Sequence, residues 1–189
     1  TTVYNCLQIL NNVTLVAIYG EVGSGKTQFA LLIANELRRP SVWVRFRGLN
    51  PAQACSRINH ALATISHTDV GTNWQRWCRH ACSLIPRQTI LVFDDLPRVQ
   101  MGELLFESLT HLARSLAANN IQLVTTSAFD FPAELKRIDN NTLISAAEIP
   151  RFFDDEIQEL FRLHGAPHDF FRENRLGLLA SLTRRHPTL

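Results

Sequence analysis

The chain contains the segment Gly20-Glu21-Val22-Gly23-Ser24-Gly25-Lys26-Thr27. This segment matches the pattern G-x-x-x-x-G-K-[ST] in full. A short apolar run with β-branched residues, 14–19, precedes it, and residues 27–37 follow with apolar side chains at helical spacing. A glycine-rich turn between a strand and a helix exposes backbone N–H groups, and the helix adds the positive end of its dipole. The pattern therefore predicts a binding site for phosphate groups.

Each part of this loop has an expected role toward a nucleoside triphosphate. Gly23 lets the backbone approach the phosphate oxygens where a Cβ would intrude. Lys26 is expected to bridge the β- and γ-phosphates, and the Thr27 hydroxyl is expected to ligate Mg²⁺. A chance glycine-rich turn is the alternative, and the flanking strand and helix argue against it. The predicted nucleotide-binding residues in this segment are Gly20, Glu21, Val22, Gly23, Ser24, Gly25, Lys26, Thr27 and Gln28.

Two adjacent carboxylates, Asp94 and Asp95, follow an apolar run at 89–93. Like charges repel each other and neither is buried cheaply, so stability alone does not explain the pair. A metal ion would explain it. Asp94 is predicted to hold Mg²⁺, directly or through water, and Asp95 to orient or deprotonate the attacking water as a catalytic residue beside Lys26. The alternative for Asp95 is a loop cap or an ion pair with Arg98.

The rest of the chain alternates between strand and helix patterns. Apolar strands alternating with helices predict an α/β fold with a five-stranded parallel sheet covered by helices on both faces. We expect an α/β domain over residues 1–150 and the start of a small helical subdomain over 151–189. The remaining predicted elements are strands at 41–46, 121–125 and 142–144 and helices at 51–64, 73–85 and 102–118.

The composition excludes several classes of protein. A net charge of +2 does not indicate a nucleic-acid footprint, which would show as a clustered basic face. No apolar run reaches the roughly 18 residues that a membrane span needs, and no signal-peptide pattern opens the chain. We therefore expect a cytoplasmic protein outside the membrane. Because the chain starts at Thr1 and its only methionine is Met101, we also expect a domain cut from a longer protein.

The cysteines are better explained as free thiols than as metal ligands. Cys78 and Cys82 would share one face of a helix, but His80 would point away from them. No second pair of ligands follows at zinc-finger spacing. Buried or half-buried thiols in a reducing compartment are therefore favoured over a zinc site.

Taken in order, these segments resemble the nucleotide-binding domain of STAND-class signal-transduction NTPases, relatives of NB-ARC domains and of AAA+ proteins. The segments that carry the resemblance are residues 16–27, 42–44, 90–96 and 123–126. The resemblance implies a P-loop NTPase fold that binds ATP or ADP with Mg²⁺. Adenine over guanine also agrees with the absence of an Asn-Lys-x-Asp motif. The family's behaviour implies a closed ADP state, self-association in the ATP state, and flanking sensor and effector domains.

The resemblance extends to the end of the chain. Residues 157–167 are similar to the first helix of the family's helical lid, and residues 183–187 to its Gly-His-Pro element. The resemblance implies that Pro187 contacts the nucleotide base, although Arg185 stands in place of the usual glycine.

The end of the fourth predicted strand, Thr125-Thr126-Ser127, bears on hydrolysis. If this strand lies between the first and third strands, the Thr126 hydroxyl would hydrogen-bond the phosphate or the attacking water. Members of the resembled family continue Thr-Thr with an arginine that senses the γ-phosphate, and this chain has Ser127. We therefore expect slow hydrolysis, with Arg98 or Arg137 as substitutes for the missing cation.

The sequence thus predicts an ATP-binding switch with slow Mg²⁺-dependent hydrolysis that regulates the assembly of a larger signalling protein. Three alternatives remain open. An AAA+ motor or loader would act on nucleic acid, and a small-molecule kinase would use the late arginines as a basic lid. An inert interaction module would carry a P-loop without using it.

Overall fold

A computed structural model describes residues 13–135 and 144–148. Strands and helices alternate along these residues, as the sequence predicts. The strands are β1 Leu15–Tyr19, β2 Ser41–Arg45, β3 Ile90–Leu96, β4 Gln122–Ser127 and β5 Ile144–Glu148. The helices are α1 Lys26–Leu37, α2 Pro51–Ser66, α3 Trp74–Leu84 and α4 Leu104–Ala118.

The strands form one parallel sheet in the order β2-β3-β4-β1-β5. Four of them lie within residues 13–135, and β5 is the separate described stretch. The predicted parallel α/β architecture is confirmed. The predicted strand at 142–144 overlaps β5 at Ile144 alone, and residues 142–143 lie outside the described residues. Because β1, β4 and β3 are adjacent and parallel, their carboxyl ends lie close together at one edge of the sheet.

Helices pack on both faces of the sheet because both faces are apolar. Successive residues of a strand point to opposite sides. Leu15 and Ala17 of β1 belong to a buried cluster that includes side chains of α2, α3 and α4. Val16 and Ile18, of opposite parity, are equally buried, and α1 packs against β1, β3 and β4. Among the described helices, α1 therefore lies alone on one face of the sheet, and α2, α3 and α4 lie on the other. Thr27, in the first turn of α1, approaches the sheet from the face that α1 covers.

The start of α2 is dictated locally by the sequence Asn50-Pro51-Ala52-Gln53. The Asn50 side chain accepts a hydrogen bond from the Gln53 N–H at 2.9 Å, and the Gln53 side chain accepts one from the Asn50 N–H at 3.0 Å. This reciprocal capping box satisfies two N–H groups that the helix leaves unpaired. Pro51 at the first helical position lacks an N–H that would need a partner. The predicted start at residue 51 is confirmed.

The chain divides into two compact units. One contains Thr1–Gly20 and Lys26–Glu148, and the other contains Glu21–Gly25 and Ile149–Leu189. In the second unit the described residues are Glu21–Gly25, a turn in which the Ser24 N–H donates to the Glu21 carbonyl at 3.2 Å. The predicted helical subdomain at 151–189 lies outside the described residues.

Along residues 13–135 and 144–148, none of the helices combines the length and the apolar character that crossing a membrane requires.

Two leucines of α4 test the described core. Leu112 is 0% exposed within the buried cluster, whereas Leu104 is 66% exposed. Leu112→Ala is expected to lower the free energy of unfolding by about 2–5 kcal/mol, because it removes buried apolar surface and leaves a cavity. The matched control, Leu104→Ala, is expected to change it by less than about 0.5 kcal/mol. Urea denaturation measures both, and equal losses would contradict the described packing of α4.

Candidate functional site

The Asp94 carboxylate lies at the centre of the site. Its Oδ1 accepts a hydrogen bond from the Thr27 hydroxyl at 2.7 Å and another from the Thr126 hydroxyl at 2.8 Å. Thr27 lies in the first turn of α1, Asp94 in β3 and Thr126 in β4. Asp94 itself is 5% exposed. One carboxylate oxygen thus joins the helix that follows the glycine-rich loop to two neighbouring strands.

A β-bulge positions Asp95. The register of β3 against β4 pairs Phe93 with Thr125 and Leu96 with Ser127, so β3 holds one extra residue. Asp95 takes a left-handed conformation with φ of 62°, and its N–H donates to the Thr126 hydroxyl at 2.8 Å. The strand predicted at 89–93, ending in Asp94-Asp95, extends one residue further and ends at Leu96. Pairing of Asp94 with Arg45 of β2, and of Leu96 with Ser127 of β4, continues the strand despite the low strand propensity of aspartate.

Lys26 begins α1 and is largely buried. Its Nζ donates to the Gly20 carbonyl at 2.9 Å, which joins the two ends of the loop. Burial lowers the pKa of Lys26, and the charges of Asp95 and then Asp94 partly offset that effect. The ammonium group is thus held where negative charge stabilises it. The negative charge of a nearby phosphate group would act in the same direction as the two aspartates and raise the pKa of Lys26.

The loop residues Glu21–Gly25 have the backbone and hydroxyl chemistry that suits an anion. Gly23 and Gly25 have φ of 79° and 88°, values at which an L side chain is strained. The Ser24 hydroxyl is buried and has no hydrogen-bond partner within the part of the chain that the structure describes. Buried hydroxyls are normally paired, and a phosphate oxygen would satisfy this one.

The pairing of Thr27 with Asp94 suits Mg²⁺. Magnesium prefers oxygen ligands, and these side chains supply a hydroxyl and a carboxylate at one point. The hydrogen bond between them brings the two predicted metal ligands together, and their binding of a metal stays a prediction.

Arg45 also lies at this edge, although it is not among the predicted site residues. It is the last residue of β2 and pairs in register with Asp94. Its Nε lies 4.0 Å from Asp94 Oδ2. No motif marks an arginine at a strand end. The available signal is that parallel strands end at a common edge, so a polar residue ending one strand lies beside those that end its neighbour.

The described contacts of Thr126 and Ser127 are structural. Thr126 is 1% exposed, and its hydroxyl is engaged by Asp94 and by the Asp95 N–H. Its predicted contact with phosphate stays a prediction. The Ser127 hydroxyl donates to the Leu96 carbonyl and accepts from the Phe129 N–H, both at 3.1 Å.

The remaining predicted residues are spread more widely. Glu21, Val22 and Gln28 are exposed. The Arg98 guanidinium lies over the Phe129 ring, 5.5 Å from its centre. Pro187 and Arg137 lie outside the described residues.

Three of the four cysteines lie in the part of the chain that the structure describes. Cys55, Cys78 and Cys82 are free and buried. Within residues 13–135 and 144–148, no group of three or more His, Cys, Asp or Glu side chains is placed to hold a metal ion.

Two adjacent threonines of β4 test the hydrogen-bond network around Asp94. Thr126→Val is expected to lower the free energy of unfolding by about 1–3 kcal/mol, because buried Asp94 loses a donor and the part-buried Asp95 N–H loses its acceptor. Thr125 is equally buried, but its hydroxyl has no partner in the described structure. Thr125→Val is therefore expected to leave stability unchanged or to raise it. Urea denaturation without nucleotide compares them, and equal destabilisation would exclude the hydrogen bonds as the cause.

No protein-family model and no curated protein matches the sequence. Solved structures do match the fold. A STAND protein with a tetratricopeptide repeat sensor from Pyrococcus horikoshii aligns with 97% of this chain at a TM-score of 0.61 and 17% identity. ORC1 from Aeropyrum pernix, solved in complex with DNA, aligns with 97% at 0.58 and 17%. AMPPCP-bound DnaA from Aquifex aeolicus aligns with 97% at 0.54 and 14%.

The chain spans 28%, 54% and 59% of the lengths of these three proteins, respectively. At such low identity the likeness concerns the fold. The chain therefore shares its fold with these three solved structures, a STAND protein, ORC1 and DnaA.

Proposed function

We propose that this chain is the ATP- and ADP-binding domain of a nucleotide-dependent switch that regulates the assembly of a larger signalling protein. The observation that carries the proposal is the contact between Thr27 and Asp94 at 2.7 Å. These residues come from two separate motifs, and the fold brings them to one point on the edge where Lys26 begins α1. A coincidence of three such residues is what a Mg²⁺–nucleotide site requires.

The residues divide the work of binding by their chemistry. The loop N–H groups and the Lys26 ammonium bind the phosphates, and Lys26 lies at the start of a helix whose dipole favours anions. Thr27 and Asp94 would hold Mg²⁺, which neutralises phosphate charge when bound. Thr126 keeps the Asp94 carboxylate in place through its hydroxyl. Among the predicted residues, Thr126 is therefore proposed to position the metal ligand.

Hydrolysis in this proposal is slow. Asp95 is the residue proposed to orient or deprotonate water, supported by its charge acting on Lys26 and by its fixed backbone in the bulge. Ser127, which stands where the resembled family carries an arginine, binds backbone groups on both sides. Its side chain offers no positive charge to the γ-phosphate, and this supports a slowly hydrolysing switch over an ATPase with a high turnover rate.

A nucleic-acid-dependent motor or loader is the second candidate. The observation in its favour is the likeness in fold to ORC1, solved in complex with DNA, and to the RuvB branch migration motor from Thermotoga maritima. Against it stands a net charge of +2, which is small for a protein that binds phosphate backbones.

Nucleotide binding is tested by removing one positive charge. Lys26→Ala is expected to weaken ATP binding at least tenfold, since a hydrogen bond to a charged group contributes about 1.5–3 kcal/mol. Arg87→Ala removes the same charge from an exposed residue that precedes β3, away from the site, and is expected to leave the affinity unchanged. Titration calorimetry with Mg²⁺ measures both. Undetectable binding of ATP and ADP to the wild-type chain would refute the proposal.

Hydrolysis is tested at Asp95. Asp95→Asn is expected to reduce the rate of phosphate release about 100-fold or more, the typical contribution of a general base. Its affinity for ATP is expected to be unchanged or tighter, because a negative charge is removed. A wild-type rate in this variant would assign Asp95 to the bulge alone.

Adding DNA to the same assay separates the two candidate functions. For a switch, we expect single- and double-stranded DNA to leave the hydrolysis rate unchanged. Stimulation by several-fold would favour the motor instead.

A further inference from the structure

The two oxygens of Asp94 have different surroundings. Oδ1 accepts the hydroxyls of Thr27 and Thr126. Oδ2 faces the Arg45 Nε at 4.0 Å, a distance that permits charge attraction but exceeds that of a hydrogen bond. Arg45 is thus the cation that β2 contributes beside the predicted metal ligand.

Arg45 is free to move from this position. Its side chain is 68% exposed, and an exposed ion pair at this separation contributes little to stability. The guanidinium group carries five N–H donors in a planar fork that fits phosphate oxygens. The described contact with Asp94 places one of these donors, Nε, closest to the carboxylate. Within residues 13–135 and 144–148, the other donors have no carboxylate partner.

The place of Arg45 in the sheet determines which phosphate it can reach. In a P-loop site the loop N–H groups bind the α- and β-phosphates, and the metal bridges the β- and γ-phosphates. Arg45 pairs in register with Asp94 on the strand beyond it, on the side of β3 away from β1. A cation at this place, beside the predicted metal ligand and on the side away from β1, is better placed for the terminal phosphate than for phosphates held by the loop.

We propose that Arg45 contacts the γ-phosphate of bound ATP and thereby makes the domain discriminate ATP from ADP. This inference rests on the proposed function, because it requires a nucleotide in the site. Without ligand, Arg45 faces Asp94 Oδ2, and with ATP it turns to the added phosphate. The cation that Ser127 does not supply from β4 comes from β2 in this chain.

Titration calorimetry with Mg²⁺ tests the proposal, using AMPPCP as a triphosphate and ADP as the diphosphate. Arg45→Gln is expected to weaken AMPPCP binding about tenfold or more and to change ADP affinity by less than about twofold. Arg45→Lys keeps the charge but not the planar fork, so it is expected to lose less AMPPCP affinity than Arg45→Gln. Arg47→Gln is the matched control, because Arg47 is also exposed and follows two residues later. It is expected to change neither affinity.

Several outcomes would overturn the proposal. Equal weakening of AMPPCP and ADP by Arg45→Gln, or no weakening of either, would show that Arg45 does not read the γ-phosphate. So would a loss in Arg45→Lys as large as that in Arg45→Gln. If the wild-type chain binds neither nucleotide, the proposed function itself fails, which is distinct from a wild-type chain that binds both and a variant that loses no selectivity.

Thermal unfolding without nucleotide provides a second readout. Arg45→Gln is expected to shift Tm by less than about 2 °C, since exposed substitutions usually change stability little. A much larger shift combined with unselective loss of binding would identify Arg45 as a structural residue and overturn the proposal.

Discussion

The hydrogen bonds that converge on Asp94 Oδ1 hold the functional edge of this domain together. Thr27 and Thr126 lie 67 and 32 residues away in sequence, yet both hydroxyls donate to the same oxygen. A buried carboxylate without such donors would be costly, and the two hydroxyl groups reduce that cost. Helix α1, β3 and β4 are therefore joined at Asp94 Oδ1, and Asp94 is also a predicted ligand of the metal.

Charge balance explains how four ionisable residues tolerate each other there. Lys26 and Arg45 carry positive charges, and Asp94 and Asp95 carry negative ones, so the formal sum is zero. Burial alone disfavours the Lys26 ammonium, and the two carboxylates restore part of its stability. A nucleotide with its metal ion would therefore enter a site that has no large net charge of either sign.

Local patterns in the sequence predicted the parts of the site that depend on neighbours in the chain. The glycine-rich loop, the Asp94-Asp95 pair and the start of α2 each carry a short signature, and the sheet followed from the alternation of elements. The place of Thr126 at this edge followed from the condition that its strand lies between the first and third strands, and the order of the sheet meets that condition. Its contact with phosphate stays a prediction. Arg45 and the bulge at Asp95 were missed, because both depend on register between strands far apart in sequence, which no short window encodes.

The hydrogen bonds through Thr126 run in one direction. A hydroxyl has a single proton, and Thr126 gives it to Asp94, so its oxygen must accept from the Asp95 backbone. The chain Asp95 N–H to Thr126 to Asp94 thus has a polarity that depends on Asp94 remaining an acceptor. A ligand that withdraws electron density from that carboxylate would weaken the hydrogen bond that it accepts from Thr126. It would thereby also change the hydrogen bond between Thr126 and the Asp95 N–H. Because Asp95 lies within β3, these two hydrogen bonds link the Asp94 carboxylate to the backbone of its own strand.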